Sequence, residues 1–204
     1  MFKLKLFVLL LIKVCFVYSQ TIDTIIKKPI LTSYFNYEMH NPLFVSYYLY
    51  KGGGDCSRKG MNFKTDGLKH SASQKDYAHS GYDIGHMANA EDFANDCEKE
   101  KQTFFFYNAL PQKAKLNRGC WKTIETKVRE QSQTDSLLII CGGYDFKNKV
   151  GEMLVPEFCF KVIKNLKTNK TICYKFPNDD SNTFQEIELN QLLKEIPFTL
   201  NIKK

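Results

Sequence analysis

Hydrophobic and polar positions divide the chain into short blocks. Leu43 to Lys51 is dense in aromatic and branched residues and predicts a strand, one arm of a hairpin. Gly52-Gly53-Gly54 ends it. The preceding residues, 20–42, mix polar and apolar side chains without a clear period and read as an extended lead-in. Asp55 to Ser80 is polar and aperiodic, a long loop of the kind that is either functional or disordered. Tyr82 to Ala88 predicts a short strand entering a turn, and Ala90 to Ala94 a single helical turn. Glu98 to Gln102 reads as solvated, Thr103 to Tyr107 as a buried strand, and Asn108 to Lys115 as a loop.

The clearest helix runs from Asn117 to Gln131. Cys120, Ile124 and Val128 recur at helical spacing with Trp121 beside them, and Asn117 is a suitable N-cap. Leu137 to Cys141 predicts an apolar strand stopped by Gly142-Gly143. Met153 to Ile163 and Thr171 to Phe176 predict hairpin arms, with the sequon Asn169-Lys170-Thr171 at their tip. Glu188 to Ile196 predicts a short amphipathic helix with Leu189, Leu192, Leu193 and Ile196 inward, stopped by Pro197. No repeat or linker divides the chain, so the expectation is one α+β domain with a mixed or antiparallel sheet over residues 20–204.

The first 19 residues change the picture of where the protein works. Lys3 and Lys5 precede the apolar run Leu6 to Ile12, which resumes after Lys13, with small residues at Val17 and Ser19. This is a signal-peptide pattern for residues 1–19 and implies a secreted protein with no membrane partner after cleavage. An uncleaved anchor is the competing reading, but the run is short and broken for a bilayer span. Loss of Cys15 with the leader leaves six cysteines, an even number suited to an oxidising compartment. Six cysteines allow 15 pairings. Cys159 and Cys173 are a candidate pair if they face each other across the hairpin. The absence of any CxxC makes a zinc site a poor competitor. The formal charge of +7 falls to +4 once Lys3, Lys5 and Lys13 leave. That is compatible with a polyanionic partner and equally with solubility alone.

The candidate chemistry lies between Asp83 and Glu125. A histidine flanked by glycine stands in Asp83-Ile84-Gly85-His86. A polar loop follows with Asn108, Pro111 and Gln112. The helix then carries Asn117, Trp121 and Glu125. A base, a neutral oxygen ligand and a carboxylate suit metal-assisted hydrolysis of a phosphodiester. Each residue also has a plain reading: His86 as a structural turn histidine, Asn117 as an N-cap, Glu125 as a solvated helix carboxylate near Lys122, Lys127 and Arg129. His40, His70 and His79 lack partners at ligand spacing and read as surface histidines. Trp121 reads as core.

The order D-x-G-H, N-x-x-P-Q, L-N-x-G-x-W-x-x-x-E resembles the DNA/RNA non-specific endonuclease family, whose active site is a ββα-metal (His-Me) finger. The resemblance extends from about residue 62 to the C terminus. It implies a metal-dependent endonuclease acting on DNA and RNA with little sequence preference and leaving 5′-phosphate ends. It assigns His86 as general base, Asn117 as the ligand of Mg²⁺ (Mn²⁺ as an alternative) and Glu125 as a water-mediated supporter of the metal. Asp83 would orient His86 or the turn, and Asn108 and Gln112 would shape the site. The family commonly has arginine where this chain has Ile84, a guanidinium that contacts the phosphate. Arg58, Arg118 and Lys64 are the candidate substitutes. Ile84 also motivates the alternative of a catalytically weakened nucleic-acid-binding or partner-binding protein on the same fold.

Overall fold

The computed structural model describes residues 20–200 and 202, so the signal-peptide reading of residues 1–19 lies outside the described residues. In chain order the elements are β1 (Thr24–Lys27), β2 (Thr32–Asn36), β3 (Asn41–Leu49), α1 (Gln74–Tyr77), β4 (Asp83–His86), a 3₁₀ turn (Ala90–Phe93), α2 (Cys97–Lys101), a second 3₁₀ turn (Phe106–Asn108), β5 (Ala109–Gln112), α3 (Ala114–Leu116), a π-helical turn (Asn117–Trp121), α4 (Lys122–Gln131), β6 (Leu137–Val150), β7 (Met153–Asn165), β8 (Thr171–Pro177), β9 (Gln185–Ile187) and α5 (Leu189–Glu195). Seven strands form one antiparallel sheet in the order β1-β2-β3-β6-β7-β8-β9, and β4 and β5 form a separate antiparallel pair. The architecture is a single α+β domain.

The core fills the space between the large sheet and the layer made by β4, β5 and α4. Trp121 is fully enclosed, with its ring 5.0 Å edge-on to Phe176 of β8. Ile124 and Val128 continue the same buried stripe, which is what the helical spacing of Cys120, Ile124 and Val128 predicts. Truncating Trp121 to alanine would cost about 3–5 kcal/mol through lost burial and an unfilled cavity. That burial fixes α4 to the sheet and so fixes every functional group along it.

Several elements depart from the sequence reading, each for an identifiable reason. The lead-in contains β1 and β2; their alternation is masked because β2 buries Ser33 and Asn36 along with Phe35. Ser33 Oγ donates to the Tyr107 carbonyl at 2.6 Å, so a polar residue occupies a core position. Thr103 to Tyr107 is a turn leading into a 3₁₀ helix, and only an isolated bridge joins Lys64 to Phe105. Asn108 supplies the bonds a ladder would have made. Its Nδ2 donates to the carbonyls of Thr103 and Ala88, and its Oδ1 accepts the Ala88 N–H. The expected loop after it is β5, despite Pro111, which a two-stranded edge tolerates.

Gly142 and Gly143 do not stop β6. A Cβ at Gly142 would lie 2.3 Å from the Leu43 carbonyl oxygen, so glycine there lets β3 and β6 approach closely. The chain turns helical at Ala114, so Asn117 is not an N-cap; it has helical angles and its N–H bonds the Lys113 carbonyl at 2.9 Å. The regular helix is interrupted at Gly119 (φ −105°, ψ −112°), where Asn182 Oδ1 accepts the Cys120 N–H at 2.7 Å. In α5, Leu192 and Ile196 are buried as expected but Leu193 is 40% exposed. Glu100, expected in solvent, is wholly buried.

The cysteine expectation is corrected as well. The β7–β8 register sets Val162 opposite Cys173 and Phe176 opposite Cys159, so these cysteines do not face each other. Cys120, Cys141, Cys159 and Cys173 are buried thiols, and Cys56–Cys97 is the disulfide among the described residues. It staples the long loop to α2. The sequon does sit at the β7–β8 turn, with Asn169 exposed at φ 58°.

Candidate active site

β4, β5 and the helix that follows them form a ββα unit around a cleft of about 520 Å³. Arg58, His86, Asn89, Glu91, Asn117, Arg118, Lys122, Glu125 and Arg129 line it. Residues from the long loop, β4, the first 3₁₀ turn and α4 therefore meet in one place.

His86 ends β4. Its ring packs 4.6 Å from Phe63 and 4.8 Å, edge-on, from Phe104. Nε2 is enclosed and has no hydrogen-bond partner among the described residues. Burial, and secondarily the Arg58 guanidinium, push its pKa down to about 3, so the imidazole is neutral at neutral pH. Gly85, the preceding residue, is required by contact: a Cβ there would lie 2.0 Å from Gln112 Oε1. Gln112 is fully buried across the β4–β5 pair, with Nε2 donating to Cys159 Sγ at 3.5 Å. Asn108 holds the turn after His86 through its bonds to Ala88.

Asn117 donates through Nδ2 to Asp83 Oδ2 at 3.0 Å. A carboxylate only accepts, so this contact fixes the amide orientation and leaves Asn117 Oδ1 for another partner. Asp83 also takes two bonds from Arg118, at 2.8 Å from Nε and 2.6 Å from the terminal nitrogen. Partial burial raises the Asp83 pKa, but the bonds from Arg118 and Asn117 outweigh it and hold the group below its ordinary value. Asp83 thus orients the amide and Arg118; no hydrogen bond joins it to His86.

Glu125 is buried, not solvated. Burial pushes its pKa up to about 7, against the opposing field of Lys161. Lys161 on β7 is itself enclosed, its Nζ 3.8 Å from Glu125 Oε1 and 4.2 Å from the Trp121 ring centre. Behind them Asp92 accepts from Tyr47 at 2.8 Å and from Arg129 at 3.1 Å.

Of the three candidate cations, Arg58 and Arg118 reach the cleft and Lys64 does not; Lys64 lines a neighbouring cavity. Arg58 is held by the buried Glu100, 2.7 Å from Nε, and by Glu91. Ile84 is half-buried and packs against the apolar group of Tyr77, Phe106 and Met153. Sequence reasoning passed over Asn89, Glu91, Lys122 and Arg129 as site residues. The last two were detectable: Arg118, Lys122, Glu125 and Arg129 recur at the three- and four-residue spacing of one helix face.

Comparison with known proteins agrees with this architecture. Residues 15–200 match the family model described as DNA/RNA non-specific endonuclease, and the chain belongs to that family. Bovine mitochondrial endonuclease G is 31% identical over 93 residues, 44% of this chain and 31% of that protein. A nuclease from Nostoc sp. is 32% identical over 117 residues, 50% of this chain and 43% of that protein. Mouse mitochondrial nuclease EXOG is 37% identical over 83 residues, 39% of this chain and 23% of that protein. The aligned stretches thus span less than half of these relatives. A solved structure of an EndoG/EndoGI complex superposes with a TM-score of 0.74 at 21% identity, covering 84% of this chain and 82% of that one.

Proposed function

We propose that this chain is a secreted, metal-dependent endonuclease that hydrolyses phosphodiester bonds in DNA and RNA with little sequence preference. The observation that carries this reading is the convergence of His86, Asn117 and Glu125 on one cleft rich in arginine and lysine. Such a surface engages the sugar-phosphate backbone, which carries no sequence information.

The residues fit a hard divalent ion. Asn117 offers a neutral amide oxygen whose orientation Asp83 fixes, and Glu125 adds a nearby carboxylate in the same cleft. Mg²⁺ retains several waters and needs few protein oxygens; Mn²⁺ accepts the same donors. Bound there, the ion would supply Lewis-acid stabilisation of charge on the phosphate and the leaving oxygen.

His86 takes a proton from the attacking water. Burial disfavours the imidazolium, and the field of Arg58 adds to it. A phosphate anion seated beside Arg58 offsets that field and strengthens the base when it is needed. Arg58, Arg118 and Arg129 present fixed positive charge to the phosphate oxygens. Arg58 takes the place of the cation that Ile84 lacks.

The test is cleavage of plasmid DNA and of RNA by the purified protein with Mg²⁺ and with EDTA, beside His86→Ala. Degradation that needs the metal and disappears in the variant is expected. Intact substrate across several divalent ions and pH values would overturn the enzyme reading. Ile84 favours the second reading, a nucleic-acid-binding or partner-binding protein. That reading predicts salt-sensitive binding without cleavage.

A further inference from the structure

A second concavity of about 380 Å³ adjoins the cleft. Lys59, Lys64, Lys101, Phe104 and Phe105 are among its lining residues. The wall between the two is shared. Arg58 lines the cleft, while its neighbours Ser57 and Lys59 line the second cavity. Phe104 lines the second cavity and packs edge-on to His86 at 4.8 Å. The Cys56–Cys97 disulfide and the Arg58–Glu100 ion pair fix this wall to α2.

The cavity lining carries a net positive charge. Lys101 is paired with Glu98 at 2.5 Å, but Lys59 and Lys64 are exposed and make no ion pair among the described residues. Two unneutralised ammonium groups beside two half-buried phenyl rings match the chemistry of a nucleotide: an anionic backbone and a flat base. Lys64 is tied to Phe104, Phe105 and Phe106 through its backbone, which leaves its ammonium group, like that of Lys59, without an ion-pair partner among the described residues.

On the nuclease reading above, the geometry points to this cavity as the subsite for a nucleotide flanking the scissile phosphate, with Lys59 and Lys64 on its backbone phosphates and Phe104 and Phe105 toward its base. The strand crosses the Arg58 wall, one phosphate beside His86 and the next beyond it. Lys64 thereby acts on substrate without reaching the reacting phosphate.

The experiment measures binding of fluorescein-labelled oligothymidylate to the full chain in EDTA between 50 and 200 mM salt. Wild type is compared with Lys59→Gln/Lys64→Gln. A control pair, Lys167→Gln/Lys170→Gln, removes the same charge at the β7–β8 turn, which lines neither cavity. Each phosphate contact contributes about 0.7 to the slope of log affinity against log salt for single strands. Loss of both contacts lowers the slope by about 1.4, so affinity falls about sevenfold less across that salt range. The control leaves the slope unchanged. An unchanged slope in the cavity variant, an equal change in both variants, or no binding by wild type at low salt overturns the subsite. Plasmid cleavage in Mg²⁺ reports on the nuclease reading separately, because the binding measurement needs neither metal nor turnover.

Discussion

Asn117 Nδ2 lies 3.0 Å from Asp83 Oδ2, and this bond turns the Asn117 amide oxygen away from Asp83. On the function proposed above, a strand residue thereby sets which atom a helix residue would offer to a metal. Asp83→Ala removes the acceptor and lets the amide rotate. The expected outcome is a 10- to 100-fold rise, roughly, in the Mg²⁺ concentration needed for half-maximal cleavage, with cleavage recovered at high metal. Titrating activity against Mg²⁺ checks this. An unchanged midpoint would mean that the bond does not serve the ligand.

His86 predicts a pH dependence of stability. Its pKa is about 3 in the folded protein and about 6.5 unfolded. Between these values the unfolded chain binds the proton and the folded one does not, so stability rises with pH across the window and is lost as pH falls through it. The contribution has a ceiling of about 1.4 kcal/mol per pH unit, the one-proton limit. Urea unfolding of wild type and His86→Phe at pH values from 4 to 7, on the order of half a unit apart, isolates the effect. Wild-type stability minus that of the variant should fall by up to one proton's slope on acidification, and parallel curves would refute it.

Glu125 titrates in the opposite sense. Burial raises its pKa to about 7, so near neutrality the carboxyl is part protonated. The carboxylate is the form that can hold metal-bound water. Cleavage measured as kcat/KM should therefore rise with pH along a one-proton limb with a midpoint near 7, and Glu125→Gln should lower activity and flatten that limb. A limb that survives the substitution belongs to another group.

The Cys56–Cys97 link closes a sequence separation of 41 residues and lies two residues from Arg58. Cys56→Ser/Cys97→Ser should lower stability by about 2–4 kcal/mol. It should also depress kcat more than KM, because Arg58 loses its fixed position. Alkylation of the denatured, unreduced protein followed by mass spectrometry should label Cys120, Cys141, Cys159 and Cys173 and spare Cys56 and Cys97. A bridge joining Cys159 to Cys173 would contradict the observed register.

What the sequence determined by itself is local. Helix α4 declares itself through Cys120, Ile124 and Val128, the β7–β8 hairpin through its apolar arms, and the family through three ordered motifs. Helical and strand periods are properties of neighbouring residues, so they survive without knowledge of the rest of the chain. The tertiary structure decided which distant groups meet. It put Arg58 rather than Lys64 in the cleft, turned Asp83 toward Asn117, and buried Glu100 and Lys161 among partners no local pattern names. It carried β6 through Gly142-Gly143 because β3 packs against them, and set Cys159 opposite Phe176, three positions out of step with Cys173. These outcomes depend on how sheet, loop and helix pack, and packing is set by contacts between segments far apart in sequence.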